Sequence, residues 1–431
     1  MKSKFIRSTI ALIIGGSISK VLGMFIKIML TRSISSTGIG LYMLILPTFN
    51  LFITLCTLGM PVSISKIVSE NRTNNKRLVL SLIPISLMFN LILILILFII
   101  SPYISKYLLR NSDTYYPLMA IGLTLPFICI SSIIKGYFFG KERMIPHSIA
   151  NIVEQVTRLF LIIYFIPKLL VYGTSIAVTG VVLINILSEF ASIITLLFFI
   201  PKGNVITIKD FKYNKQNLKD ALDISIPTTG SRLIGSLTYF LEPIILTYIL
   251  LKVGYSSDYV TLEYGIINGY VYPLLLIPSF FTLAISNAIL PIISNNYSLR
   301  RYKVVRNKLK QAIGLSLIIG IPITIIFMII PDVLLKMVYD TNLGVNYVRW
   351  LAPLFLAFYI QGPLTSCLQA MGKAKCAMNG TLIGSFIRIG ILVGISYLKV
   401  GILGLVMATV GNMLFVTGHH LYHVYKYLRV K

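Results

Sequence analysis

Apolar residues run along this chain in long blocks, not in the strict alternation of a half-buried strand. A helix needs about 20 residues to cross a hydrocarbon core, with a range of about 17 to 25. Blocks of that length recur about twelve times, at 8–31, 39–62, 78–100, 117–134, 147–167, 173–200, 221–251, 264–290, 311–335, 347–370, 377–397 and 400–424. A β-barrel would show short alternating segments instead. Pro47, Pro126, Pro278, Pro322 and Pro363 fall inside blocks; membrane helices tolerate proline because neighbouring groups satisfy the freed carbonyls, and it often marks a bend. The pattern predicts an all-α polytopic membrane protein of about 12 transmembrane helices.

Composition agrees. Of 431 residues, 56% are hydrophobic and 12% charged, about half the roughly 25% charged content of a soluble domain. Mean hydropathy is +0.86. Such a chain cannot clothe a globular surface in polar side chains, which excludes a soluble enzyme, a coiled coil and a disordered protein. The 39 basic residues against 13 acidic ones give a net charge of +26. In a soluble domain that excess would suggest nucleic acid. Here it follows the rule that cytoplasmic loops collect Lys and Arg, and no nucleic-acid partner is expected.

Their positions set the expected sidedness. With Lys2, Lys4 and Arg7 placed inside, alternate loops carry Lys66 to Arg77, Lys135 to Arg143, Lys202 to Lys219, Arg300 to Lys310, Lys373 and Lys375, and the tail Lys426 to Lys431. About 26 basic residues then fall inside and about 7 outside. The split predicts an even number of spans, with both termini cytoplasmic. Residues 1–23 have the basic start of a signal peptide, but no A-x-A-like site follows and the apolar block continues past Lys20.

The chain also repeats. Ser19-Lys20-Val21-Leu22-Gly23 reads like Ser231-Arg232-Leu233-Ile234-Gly235; Pro47-Thr48-Phe49, then Pro61, like Pro278-Ser279-Phe280, then Pro291; and Gly140-Lys141, then Arg158, like Gly372-Lys373, then Arg388. The matches keep their order, which predicts two parallel six-helix lobes, 1–205 and 221–431, around a central cavity, with 206–220 as cytoplasmic linker.

An ionisable side chain at membrane depth costs roughly 2.5–3.5 kcal/mol on insertion scales. It should therefore face the bundle interior or a wet cavity. Lys20, Lys27, Glu154, Arg158, Glu189, Arg232, Glu242 and Arg388 are the candidates. Lys20 and Lys27 stand two helical turns apart on one face. Lys27 also has the alternative of snorkelling to the interface. Glu154 and Arg158 form an i,i+4 pair that can simply lock its helix. Glu189 is equally readable as a packing partner. Glu242 has no basic residue at i±3 or i±4, so its partner must come from another helix. The lobe-equivalent pairs Lys20/Arg232 and Arg158/Arg388 are basic on both sides. A cavity lined that way suits an anionic, phosphate-bearing substrate.

Enzyme chemistry is not expected. The chain has no G-x-x-x-x-G-K-[ST] loop, no H-E-x-x-H and no nucleophile elbow. Cys56, Cys129, Cys367 and Cys376 lie in or beside apolar blocks without metal spacing and read as packing residues. His419, His420 and His423 cluster, but with no cysteine or carboxylate nearby in sequence no metal site is expected. No cofactor is expected.

Several longer stretches resemble a known family. They are Gly40-Leu41-Tyr42-Met43 to Leu46-Pro47-Thr48; Leu58-Gly59-Met60-Pro61-Val62-Ser63-Ile64-Ser65-Lys66; Lys135-Gly136-Tyr137-Phe138-Phe139-Gly140 with Met144-Ile145-Pro146 and Ile152-Val153-Glu154-Gln155; Ser231-Arg232-Leu233-Ile234-Gly235-Ser236-Leu237 with Tyr239-Phe240-Leu241-Glu242-Pro243; and Pro273-Leu274-Leu275-Leu276 with Pro278-Ser279-Phe280. They are similar to the stage V sporulation protein B family, part of the multidrug/oligosaccharidyl-lipid/polysaccharide exporter superfamily that includes MurJ-type lipid II flippases. The resemblance implies two lobes, alternating access, and an undecaprenyl-pyrophosphate-linked sugar as cargo, with Na or H as the coupling ion and membrane lipids as further partners. It implies a transporter of a cell-wall precursor or polysaccharide unit, for example in spore cortex peptidoglycan synthesis. It also implies that Lys20, and Lys27 near it, hold the pyrophosphate. The family usually has Arg where this chain has Lys20, and the basic residue near the start of helix 8 in MurJ-type proteins has no counterpart between Tyr264 and Tyr272. Relatives often have fourteen helices. The alternatives are a drug/cation antiporter of the same superfamily, which would rely on intramembrane carboxylates, and a non-transporting scaffold for wall or spore assembly. For the transporter reading, the substrate-binding candidates are Lys20, Lys27, Arg158, Arg232 and Arg388, and the coupling or gating candidates are Glu154, Glu242 and Glu189.

Overall fold

The computed structural model describes the backbone of residues 2–70, 75–200 and 215–429; side chains are described within these ranges except at 2–14, 75–76, 215–217, 227–228, 231 and 429. Most of the expected linker, 206–214, lies outside the described residues, as do the side chains of Lys2, Lys4, Arg7, Arg72, Lys76, Lys202, Lys209, Lys212, Lys215, Arg429 and Lys431, and that of Ser231 in the repeat motif. All regular structure among the described residues is helical.

Every predicted block has its helix. They are α1 (Lys2–Ser33), α2 (Ser36–Thr57), α3 (Met60–Glu70), α4 (Asn75–Tyr103), α5 (Tyr115–Gly140), α6 (Met144–Leu170), α7 (Thr174–Phe198) and α8 (Lys215–Lys252). There follow α9 (Ser257–Gly265), α10 (Tyr272–Leu275), α11 (Ser279–Ser298), α12 (Tyr302–Ile329), α13 (Pro331–Tyr339), α14 (Val345–Ala370), α15 (Ala374–Ser396) and α16 (Leu403–Arg429). Among the described residues, nine spans are long and apolar enough to cross a membrane, and ten if the bent pair α9–α10 and α11 is one span. The long helices α1 and α16 account for the remaining two blocks.

Two spans are broken, each for a local reason. Leu58 and Gly59 take φ of 43° and 63°, which separates α2 from α3; glycine occupies this left-handed region without strain. In the second case a π-helical turn at Ile266–Val271 precedes α10, and the chain bends 52° between Leu275 and Ser279, at Pro278.

The chain divides into two compact units, Met1–Pro243 and Ile244–Lys431. The division falls inside α8. The reason is packing: Ala221 of α8 is buried with Met60, Ile64 and Val68 of α3, Leu78 and Leu82 of α4, and Cys129 and Ile133 of α5. The start of α8 therefore belongs to the first unit's core.

Within unit 1, α5 lies tightly against α3. A Cβ on Gly136 would come within 2.9 Å of the Pro61 backbone, and one on Gly140 within 2.7 Å of the Ser65 carbonyl. The small residues four apart let the two backbones meet, as in membrane helix pairs generally. Phe138 and Ile134 of α5 pack with Ala150 of α6 and Ile193 and Leu196 of α7. The core of unit 2 joins α11, α12, α14, α15 and α16 through Ile293, Val305, Leu364, Cys367, Ala377 and Val424. Outer faces stay apolar: Met88, Leu91, Leu95 and Ile99 of α4 are exposed, as are Leu315, Ile318, Ile325 and Ile329 of α12. Helical stripes of that kind are lipid-facing.

Candidate functional site

Unit 1 concentrates charge where α5, α6 and α7 meet. Glu154 of α6 is buried and receives two cations. The Arg158 guanidinium, one turn on, donates to its Oε1 at 2.9 Å, and the Lys135 ammonium of α5 donates to its Oε2 at 2.9 Å. Lys135 also stands 3.8 Å from Glu189 Oε2 of α7, an ion pair longer than a hydrogen bond. Arg158 reaches Ser188 Oγ of α7 at 3.4 Å through both Nε and Nη2. Four charges from three helices thus form one balanced cluster, two positive and two negative. Balance is what its depth requires, since removing one member of a buried pair strands the other at about 3–5 kcal/mol.

Lys135 corrects the sequence reading. It was expected in a cytoplasmic loop, but α5 runs on to Gly140 and carries Lys135 into the packed bundle at 15% side-chain exposure. The signal in the sequence is its position one residue before Gly136, in a run that is otherwise apolar to Gly140.

The free side of Arg158 opens on a cavity of about 320 Å³. Its polar lining is Lys27 of α1, Tyr42 of α2, Gln155 and Arg158 of α6 and Asn185 of α7. Two of the five expected substrate contacts, Lys27 and Arg158, therefore line one cavity. Tyr42, Gln155 and Asn185 were not singled out by sequence, because neutral polar residues in helices carry no periodic signature. Lys20 and Arg232 are exposed on α1 and α8 and lie outside this cavity. Arg388 is half-buried on α15 of unit 2, and Glu242 is buried in α8.

Unit 2 has a cavity of different character, about 370 Å³, between α11 and α14. Ser279, Thr282, Ser286 and Asn287 line one side, and Gln361, Thr365, Ser366 and Gln369 the other, with Phe358 and Leu283 as apolar walls. No charged residue lines it. Gly362 keeps the two helices close: a Cβ there would stand 2.8 Å from Ser286 Oγ. Behind the cavity, Thr365 Oγ1 lies 3.1 Å from Nδ1 of buried His420, whose Nε2 lies 3.2 Å from the Ala377 carbonyl.

The C-terminal histidines give a second correction. No cysteine lies near them in sequence, but Cys376, on the first turn of α15, is brought beside His419 and His423 of α16.

Comparison with known proteins places this geometry. Residues 5–297 match the polysaccharide biosynthesis protein family, and residues 267–393 match the MatE family. Stage V sporulation protein B of Bacillus subtilis (strain 168) is 33% identical over 440 aligned positions, covering 100% of this chain and 85% of that relative. Lipid II flippase MurJ of the same organism is 22% identical, covering 90% of this chain and 77% of its own length. Among solved structures, lipid II flippase MurJ in an inward closed conformation superposes with a TM-score of 0.73 at 15% identity, covering 96% of this chain and 87% of that one.

Proposed function

Because the chain belongs to the polysaccharide biosynthesis protein family, we propose that it is a flippase, which moves a prenyl-pyrophosphate-linked cell-wall precursor or oligosaccharide across the bacterial cytoplasmic membrane by alternating access. The observation that carries the reading is the cavity lined by Lys27 and Arg158 together with Gln155, Tyr42 and Asn185. A guanidinium offers a fork of donors matched to phosphate oxygens, and an ammonium adds a compact charge. Amide and phenol donors beside them suit the bridging and sugar oxygens. The uncharged hydroxyl- and amide-lined cavity of unit 2 suits a hydroxyl-rich head group, for which charge would bring no discrimination.

In this reading Lys27 and Arg158 bind the pyrophosphate, and Lys20, Arg232 and Arg388 are further cationic contacts in the transport cycle. Arriving pyrophosphate competes with Glu154 for Arg158, and Lys135 keeps Glu154 paired when Arg158 turns to the cargo. Glu154 and Glu189 thereby couple cargo to the state of the cluster, and a proton or Na ion replaces the cation that a carboxylate loses. Glu242 gates through a partner on another helix. The moving bodies are the two lobes, with the first turns of α8 carried by the first, and both termini are cytoplasmic. No chemical step on the cargo is required.

The test is flipping of lipid II, compared with other undecaprenyl-linked sugars, by the full chain in proteoliposomes. Movement of at least one prenyl-pyrophosphate sugar, lost in Lys27→Ala, is the expected result; no movement of any, with drug efflux instead, refutes it. That alternative, a drug/cation antiporter, is favoured by the MatE match over residues 267–393. It predicts a cavity dominated by carboxylates, whereas the unit 1 cavity is lined by two cations and no carboxylate.

A further inference from the structure

From the Cys376, His419 and His423 side chains we infer that unit 2 holds a zinc site clamping the start of α15 to the last turns of α16. One ligand atom from each of the three residues lies within 4.8 Å of the other two. His419 and His423 are four residues apart, so one helix face presents both rings, as in the i,i+4 histidine pairs of zinc enzymes. Their ring centroids are 4.4 Å apart. The Nδ1 atoms of both rings are buried and have no hydrogen-bond partner among the described residues. A buried ring nitrogen without a partner is costly, and a cation would satisfy both at once.

The donor set selects the metal. Two imidazoles and one thiolate suit a borderline-soft cation that accepts tetrahedral N₂S coordination, whereas Mg²⁺ and Ca²⁺ require oxygen ligands. Zn–N distances of about 2.0–2.1 Å and a Zn–S distance of about 2.3 Å need the trio to close by about 1 Å, which rotation of Cys376 on the first turn of α15 can supply. Binding is proton-balanced: the Cys376 thiol releases its proton as the Zn–S bond forms, and both histidines bind as neutral rings through nitrogen lone pairs. A water would complete the fourth position. The neighbourhood is built to hold the rings in place. Gly380 leaves room for His419, since a Cβ there would stand 2.4 Å from its Nδ1. Tyr427 flanks His423 with ring centroids 6.0 Å apart. The adjacent His420 ties α16 to Thr365 in the wall of the neutral cavity, so the clamp would fix one side of that cavity. The flippase reading does not depend on it.

The experiment uses the full chain, tag-free in detergent, stripped of metal and titrated with Zn²⁺ alone, then with Co²⁺ as a spectroscopic probe. One Zn²⁺ per chain is expected, with a thiolate-to-cobalt charge-transfer band. Cys376→Ser and His423→Asn should each weaken Zn²⁺ binding by more than the 10- to 100-fold that loss of an outer-shell partner costs. His147→Gln, on α6 of unit 1, should change nothing. A measurement on the unmodified chain guards against misfolded variants. Cys56, Cys129 and Cys367 are buried while Cys376 is partly exposed, so Zn²⁺ should protect Cys376 from a maleimide. Zn²⁺ bound equally well by Cys376→Ser, a cobalt spectrum without the charge-transfer band, undiminished maleimide labelling, or loss of binding in His147→Gln would each overturn the site.

Discussion

In unit 1 the helices α5, α6 and α7 meet through Lys135, Glu154, Arg158 and Glu189, and the adjoining cavity adds Lys27. In unit 2 the helices α14, α15 and α16 occupy the same places in the repeat, yet none of the four charges recurs except the arginine. An offset of 230 residues takes Arg158 to Arg388 and Glu154 to Gly384, and it takes Glu189 to His419. Gly384 is packed against the Asn412 and Val416 side chains, which would have to move for a carboxylate to stand where Glu154 has its equivalent. The buried polar layers of the two units therefore differ in kind: paired charges in the first, uncharged hydroxyl, amide and imidazole groups in the second.

Arg158→Ala is the sharpest way to break the comparison, because it removes a cavity cation and one of the two partners of Glu154. Destabilisation of about 3–5 kcal/mol is expected for opening a buried pair, with flipping per folded protein reduced more than tenfold. Arg158→Lys should recover stability before transport, since Lys keeps the charge and loses the fork. Equal flipping by the alanine variant and the unmodified chain in proteoliposomes would separate the cluster from the cargo.

The role of Lys135 is tested by a double-mutant cycle. Lys135→Met takes the facing cation from Glu189 and leaves Glu154 with Arg158 alone, whereas Lys135→Met with Glu189→Gln removes a charge of each sign. A coupling energy of about 0.5–3 kcal/mol is expected in denaturation experiments. Strict additivity would show that the 3.8 Å contact contributes nothing.

Gating candidates come next. Glu154 has two cations and Lys135 still holds it when Arg158 turns to the cargo, so Glu154→Gln should reduce stability more than turnover. Glu242→Gln should lower transport more than Glu154→Gln at equal folded protein. The reverse order in a flipping assay would remove Glu242 from gating.

The smallest effects belong to unit 2. Gln361→Ala or Asn287→Ala should weaken cargo binding by about 1 kcal/mol each, the net worth of a neutral hydrogen bond. Inorganic pyrophosphate should compete with cargo in these variants as in the unmodified chain, but less in Lys27→Ala. A unit 2 variant that loses pyrophosphate competition would collapse the distinction between the cavities.

The sequence alone determined the fold class, the twelve helical blocks and the expensive intramembrane charges, because the cost of exposing polar groups to lipid writes directly into residue order. Glu154 and Arg158 could be paired on paper, since one helical turn fixes i and i+4. Lys135 could not be joined to them: a lysine near the end of a block looks the same in a loop as in a helix, and only the close approach of α5 to α3, through Gly136 and Gly140, shows which it is. Cys376 and His419 are likewise 43 residues apart, so their meeting is a fact of how α15 packs on α16. Where unit 1 ends was also decided in three dimensions, by the burial of Ala221 among α3, α4 and α5. Contacts along a helix follow from its geometry, whereas contacts between helices depend on which faces pack, and small residues set that choice without any periodic trace.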